Sequence, residues 1–122
     1  LQPLNVDIQR ALRNAQLALD RDLRNKREYE RLAALGKAAL RSRDWAAATT
    51  HFKAAAKLLP TDLLAKEGLS AARYGKSMQD GQAALAKRQK AAALAAFNDA
   101  LEERPGDQQA LLGKRQAQLL KP

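Results

Sequence analysis

"AALGKAALRSRDWAAATTHFKAAAKLLPTD", residues 33–62, decides the fold. It is dense in alanine yet holds a single glycine, a single tryptophan and a single proline. Moved along the chain by 45 positions, it falls on "MQDGQAALAKRQKAAALAAFNDALEERPGD", residues 78–107. Gly36 then meets Gly81, Phe52 meets Phe97, Pro60 meets Pro105 and Asp62 meets Asp107. Just upstream Tyr29 meets Tyr74, and beyond the stretch Gly68 meets Gly113. Shared alanine content would align alanines, but not Tyr, Gly, Phe, Pro and Asp in one register, so the chain is an internal duplication.

Composition says what the repeated unit is made of. Of 122 residues, 27 are alanine and 21 leucine, against one valine and one isoleucine. Sheets favour β-branched residues and helices favour Ala and Leu, so the chain is expected to be all-α. Alanine buries little area, which implies close approach between helices rather than a deep core. The absence of cysteine excludes disulfides and thiolate metal sites. No apolar run approaches the roughly 20 residues of a membrane span. The sequence starts at Leu1 without a signal-peptide pattern, which suggests a piece of a longer protein, with the cytoplasm as the default compartment.

Each unit reads as two helices. Leu32, Leu35, Gly36, Ala39 and Leu40 keep helical spacing, "RSRD" interrupts, and Asp44 is placed to cap a second helix from Trp45. That helix shows Ala48, Phe52, Ala55 and Leu59 on one face and stops at Pro60. Gly36 and Ala48 are small enough to let two antiparallel backbones touch, while Trp45 and Phe52 supply bulk. Thr61 or Asp62 caps the next helix, and Asp107 opens a last one that runs to Leu120.

With Leu35-Gly36, Ala39, Ala48, Phe52, Ala55 and Pro60 in one unit, and Gly81, Ala84, Ala93, Phe97, Ala100 and Pro105 in the next, the chain resembles the tetratricopeptide repeat (TPR) family. Asp80 stands where that family has leucine. The resemblance implies antiparallel helical hairpins stacked as an α-α superhelix. It covers residues 29–62 and 74–107, leaving 1–28 as an N-terminal helical extension, 63–73 as an insert and 108–122 as a capping helix. The family unit has 34 residues and this one has 45. The 11 extra residues, "LLAKEGLSAAR", make about three whole turns and lengthen the first helix of the unit without rotating its apolar face. Residues 62–87 are therefore expected to form one long helix. Nothing breaks a helix between Leu4 and Leu35, so another element is expected from about residue 4 to 42, about 60 Å long at 1.5 Å per residue. The short helix 45–59 cannot cover it. Its open part, with Leu4, Ile8, Leu12, Ala15, Leu19 and Leu23 on one stripe, must fold back or find another chain.

The second hairpin turn, "AKRQK" at 86–90, lacks Gly, Pro, Asp and Ser. A continuous helix over 82–104 competes with it, and an opened hairpin would permit a domain-swapped dimer.

The residues carry little catalytic signal. His51 follows Thr49 and Thr50, but neighbours on a helix point apart and no acid is spaced to orient the ring. The carboxylates lack metal-ligand spacing, and no glycine-rich phosphate loop occurs, so neither enzyme activity nor a cofactor is expected. Net charge is +9 and uneven: residues 1–45 carry 10 basic and 6 acidic groups, residues 46–90 carry 8 and 3, and residues 91–122 carry 4 and 4. Arg24, Lys26, Arg27 and Arg31, then Arg41 and Arg43, then Lys87, Arg88 and Lys90 are candidate contacts for nucleic acid or an anionic membrane. Glu28 and Glu30 interleave the first cluster, and aromatics to stack on bases are few.

The TPR resemblance further implies a concave peptide-binding face built from the first helices. On this chain it would include Glu30, Ala33, Lys37 and Arg41, with Gly75, Met78, Gln82 and Ala86. The asparagines with which chaperone-binding members hold a C-terminal carboxylate are missing here. The expected function is protein–protein interaction, as a scaffold within a larger bacterial protein. Self-association through Leu4, Ile8, Leu12 and Leu19 is the favoured mechanism. A monomeric peptide groove using Lys37, Arg41, Met78 and Gln82 is the alternative, and electrostatic anion binding a second one.

Overall fold

The computed structural model describes residues 5–121. Five helices follow one another: α1 Val6–Arg41, α2 Trp45–Leu58, α3 Leu63–Ala86, α4 Lys90–Glu103 and α5 Gln108–Gln118, with no strand among the described residues. Helix α2 packs against α1 and α3, and α4 packs against α3 and α5, so the molecule is a row of antiparallel hairpins. Leu4 lies outside the described residues.

Short polar side chains start the helices. Asn5 accepts from the Asp7 N–H at 2.8 Å, Asp44 from Ala47 at 3.1 Å, Asp62 from Leu64 at 2.9 Å and Asp107 from Ala110 at 3.0 Å. Each satisfies a backbone donor that the first turn leaves free. Helix α4 starts at Gln89 with no such bond.

The turn at 87–89 is closed, and the continuous 82–104 helix does not form. It copies the turn at 42–44 bond for bond. Arg43 donates to Leu40 O at 3.1 Å and Asp44 to Ala39 O at 2.9 Å; Arg88 donates to Leu85 O at 2.9 Å and Gln89 to Ala84 O at 2.8 Å. This pairing closes a helix through one left-handed residue, usually glycine. Here arginine fills that place twice, Arg43 at φ 60° and Arg88 at φ 59°. A side chain at such φ is strained, so Arg43→Gly and Arg88→Gly should each stabilise the fold by roughly 0.5–1 kcal/mol. Urea midpoints test this; a lower midpoint for either variant would mean that its arginine makes a compensating contact.

Apart from Tyr29, Phe52 and Phe97, the buried apolar core is alanine. The two phenylalanines are 1% exposed and sit in equivalent slots. A methyl group built on Gly36 or Gly68 would come within 3 Å of the Phe52 ring, and one on Gly81 or Gly113 within 3 Å of the Phe97 ring. Each α2 or α4 ring is thus clasped between a glycine of the helix before it and a glycine of the helix after it. Gly36 therefore admits a ring, where the sequence suggested backbone touching backbone. Trp45 lies over Gly75 in the same manner and donates its indole N–H to Gln79.

A second contact ties α3 to the start of α5. The Tyr74 hydroxyl donates to Asp107 Oδ2 at 2.6 Å, and the Arg104 guanidinium lies 4.1 Å over the Tyr74 ring. Burial and then the Asp107 carboxylate raise the Tyr74 pKa, while the bond from Tyr74 and the Ala110 N–H lower that of Asp107. Tyr29 stands equivalently: burial first and then Asp62 raise its pKa, but its buried hydroxyl completes no hydrogen bond. Asp107, with its pKa lowered, adds stability that is present above about pH 3.9 and lost as pH falls through its folded value. Tyr74, with its pKa raised, adds stability that is present below about pH 10 and lost as pH rises through its folded value. Tyr74→Phe should therefore lower Tm at pH 7, with a gap to wild type that narrows at pH 3. An equal gap at both pH values would show that the Asp107 charge is not part of the contact.

Candidate functional site

Among the described residues, two open surfaces carry the candidate residues, one between successive first helices and one along the front of α1. The first is a pair of clefts in the repeat register. A cavity of about 260 Å³ is bordered by Tyr29, Glu30, Ala33, Lys37, Arg41 and Leu64. The next, about 350 Å³, is bordered by Tyr74, Gly75, Met78, Gln82 and Gln109, with Arg43 and Trp45 reaching in from the turn and the start of α2. The candidate peptide-contacting residues therefore divide into Lys37 with Arg41 and Met78 with Gln82, one pair per cleft. Ala33 is buried at the base of the first cleft, and Trp45 adds an aromatic wall to the second that the α1/α3 register did not predict.

The second surface is α1 itself. Its residues 6–24 are exposed apart from half-buried Ala18, and Tyr29 is its first buried residue. Helix α2 has 14 residues, about 21 Å, and reaches back along α1 only that far. The front of α1 does not fold back onto the described chain. Ile8, Leu12, Leu19 and Leu23 are 51%, 62%, 54% and 47% exposed, where leucines in a closed domain would be covered. Val6 and Leu17 are also exposed, on the opposite side of the helix.

The 45-residue register shows why this segment is open. Helix α3 docks on the hairpin before it through Ala65, Gly68 and Ala72, and α5 does so through Ala110, Gly113 and Ala117, all buried. The corresponding residues of α1 are Asp20, Leu23 and Arg27, all exposed. A ring seated on a glycine between two alanines has no counterpart there, so this face of α1 is not shaped to receive a hairpin as α3 and α5 do.

The basic clusters overlap these surfaces in part: Arg24 stands on the front of α1, and Arg41 and Arg43 border the two clefts. Arg41, Arg43, Lys87 and Arg88 sit at the two equivalent hairpin turns and are exposed, while Arg31 on α1 pairs with Glu28. His51 is half-buried on α2. Among the described residues no three His, Asp or Glu side chains gather closely enough to hold a metal ion, and no helix is long and apolar enough to cross a membrane. Compared with known proteins, the chain matches no family model, no curated protein and no solved structure.

Proposed function

We propose that the chain is a TPR-like scaffold module that self-associates through the front of α1. The observation that carries this reading is the uncovered stripe Ile8, Leu12, Leu19 and Leu23 on a helix projecting beyond its hairpin. The TPR-like part rests on the paired Gly-Phe slots and the 45-residue register, with an 11-residue lengthening of each first helix.

Magnitudes set how tight such an association would be. Full burial of a Leu or Ile side chain is worth about 1.5–3 kcal/mol, so covering eight half-exposed ones in a pair yields roughly 6–12 kcal/mol. Association itself costs an estimated 4–15 kcal/mol. The two nearly cancel, so the dimer should be concentration-dependent. Replacing Leu12 and Leu19 by lysine should leave a folded, helical monomer by light scattering and circular dichroism at concentrations where wild type associates. An unchanged mass would remove the stripe from the account.

A second reading is favoured by the repeated clefts: a peptide laid across Lys37 and Arg41 and then Trp45, Met78 and Gln82. It predicts that Trp45 fluorescence responds to a bound peptide and that Met78→Lys abolishes the response without changing solution mass.

A further inference from the structure

We propose that the partner of the α1 stripe is a second copy of the chain lying antiparallel, with the two-fold axis passing near Ala15 and Gln16. This rests on the self-association reading and specifies its geometry. Three observations converge on it.

The first is the spacing of the stripe. Ile8 and Leu23 stand equally far from the midpoint between Ala15 and Gln16, and so do Leu12 and Leu19. Run in reverse, the stripe reads the same: large, large, small, large, large. An antiparallel isologous contact sets residue i against j and j against i, and this spacing gives each large residue a large partner. An antiparallel copy sets Ile8 against Leu23 and Leu12 against Leu19, with the small Ala15 where the helices come closest. In a parallel pair each large residue would face its own copy, and the symmetry of the stripe would serve no purpose.

The second is length. The free part of α1, residues 6–24, is centred on residue 15, within one residue of the stripe's own centre. Full antiparallel overlap therefore covers the whole free segment of both copies and ends where the hairpin body of each begins. A different register would leave leucines uncovered at one end and run α1 into the partner's α2 at the other.

The third is charge. Residues 6–25 carry four arginines and three aspartates, a net charge of +1 in a chain of +9, so the segment meets little repulsion from its own copy.

Because the chain has no cysteine, single cysteines take spin labels cleanly. Asn14 and Arg24 both point away from the stripe, one near the centre and one near the end. With Asn14→Cys and Arg24→Cys chains, each confirmed as a dimer by light scattering, intermolecular distances should differ sharply. The antiparallel pair separates the Asn14 sites by less than one turn along the axis and the Arg24 sites by about 25 Å. Equal, short distances at both sites would establish a parallel dimer and overturn this inference while leaving self-association intact. A monomeric mass with no intermolecular distance, at concentrations up to the millimolar range, would overturn both.

Discussion

Phe52→Ala should destabilise the protein by about 3–5 kcal/mol, as expected for emptying a buried phenylalanine site that cannot collapse. Phe52 is 1% exposed and touches the glycines of two different helices, Gly36 on α1 and Gly68 on α3. Its loss would open the contact within the first hairpin and the contact between hairpins together. Most of the remaining core is alanine, which has no side-chain length with which to fill the hole. Against a total of roughly 6–18 kcal/mol at 0.05–0.15 kcal/mol per residue, that one ring is a large share of the stability. Phe97→Ala should behave alike, because Gly81 and Gly113 hold its ring in the same fashion. Urea unfolding monitored by circular dichroism checks both. A loss under about 1 kcal/mol for either would mean that the glycine slots do not hold the hairpins together.

Gly68→Ala is the second large effect, and its sign is informative. On an exposed helix, glycine to alanine stabilises by about 1 kcal/mol. Here the new methyl would come within 3 Å of the Phe52 ring, which is itself hemmed in by Gly36. Overpacking of this kind costs about 1–3 kcal/mol, so a net loss is expected despite better helix propensity. The partner of the clash can be named, so a double-mutant cycle tests it: in a Phe52→Leu background the same Gly68→Ala change should become neutral or stabilising. An equal loss in both backgrounds would place the strain elsewhere on α3.

Much of this architecture can be read directly from residues, for physical reasons that differ by element. Asp44, Asp62 and Asp107 are short acceptors in front of helices, and Pro60 and Pro105 follow helix ends, so boundaries fall within one or two residues of those expected. The turn at 87–89 was legible through the repeat but not from its own residues, because its closure depends on Arg88 adopting a left-handed φ that arginine ordinarily avoids. The only cue was its register with Arg43. Gly68 and Gly75 lie within the long helix expected over 62–87 and are the seats of Phe52 and Trp45; a glycine shows that space is needed but not what fills it. The Tyr74–Asp107 bond went unread because Asp107 already had a role as a cap, although Tyr29 and Asp62 repeat the same 33-residue spacing.

The candidate surfaces divide along the same line. Exposure of the front of α1 followed from length alone, since a 14-residue helix cannot cover a 36-residue one. The resemblance to the TPR family implied one shared face for Lys37, Arg41, Met78 and Gln82, but not their division between two separate clefts. Trp45 borders the second cleft because it packs over Gly75 of the following unit.

The central claim is that an apolar face of α1 joins two copies, and the most direct measurement is solution mass by light scattering over a concentration series at low and high salt. The account predicts a mass that rises from one to two chains with concentration and persists, or strengthens, at high salt, where repulsion between chains of charge +9 is screened. A single-chain mass at every concentration and both salts would contradict it and leave the clefts as the working surface.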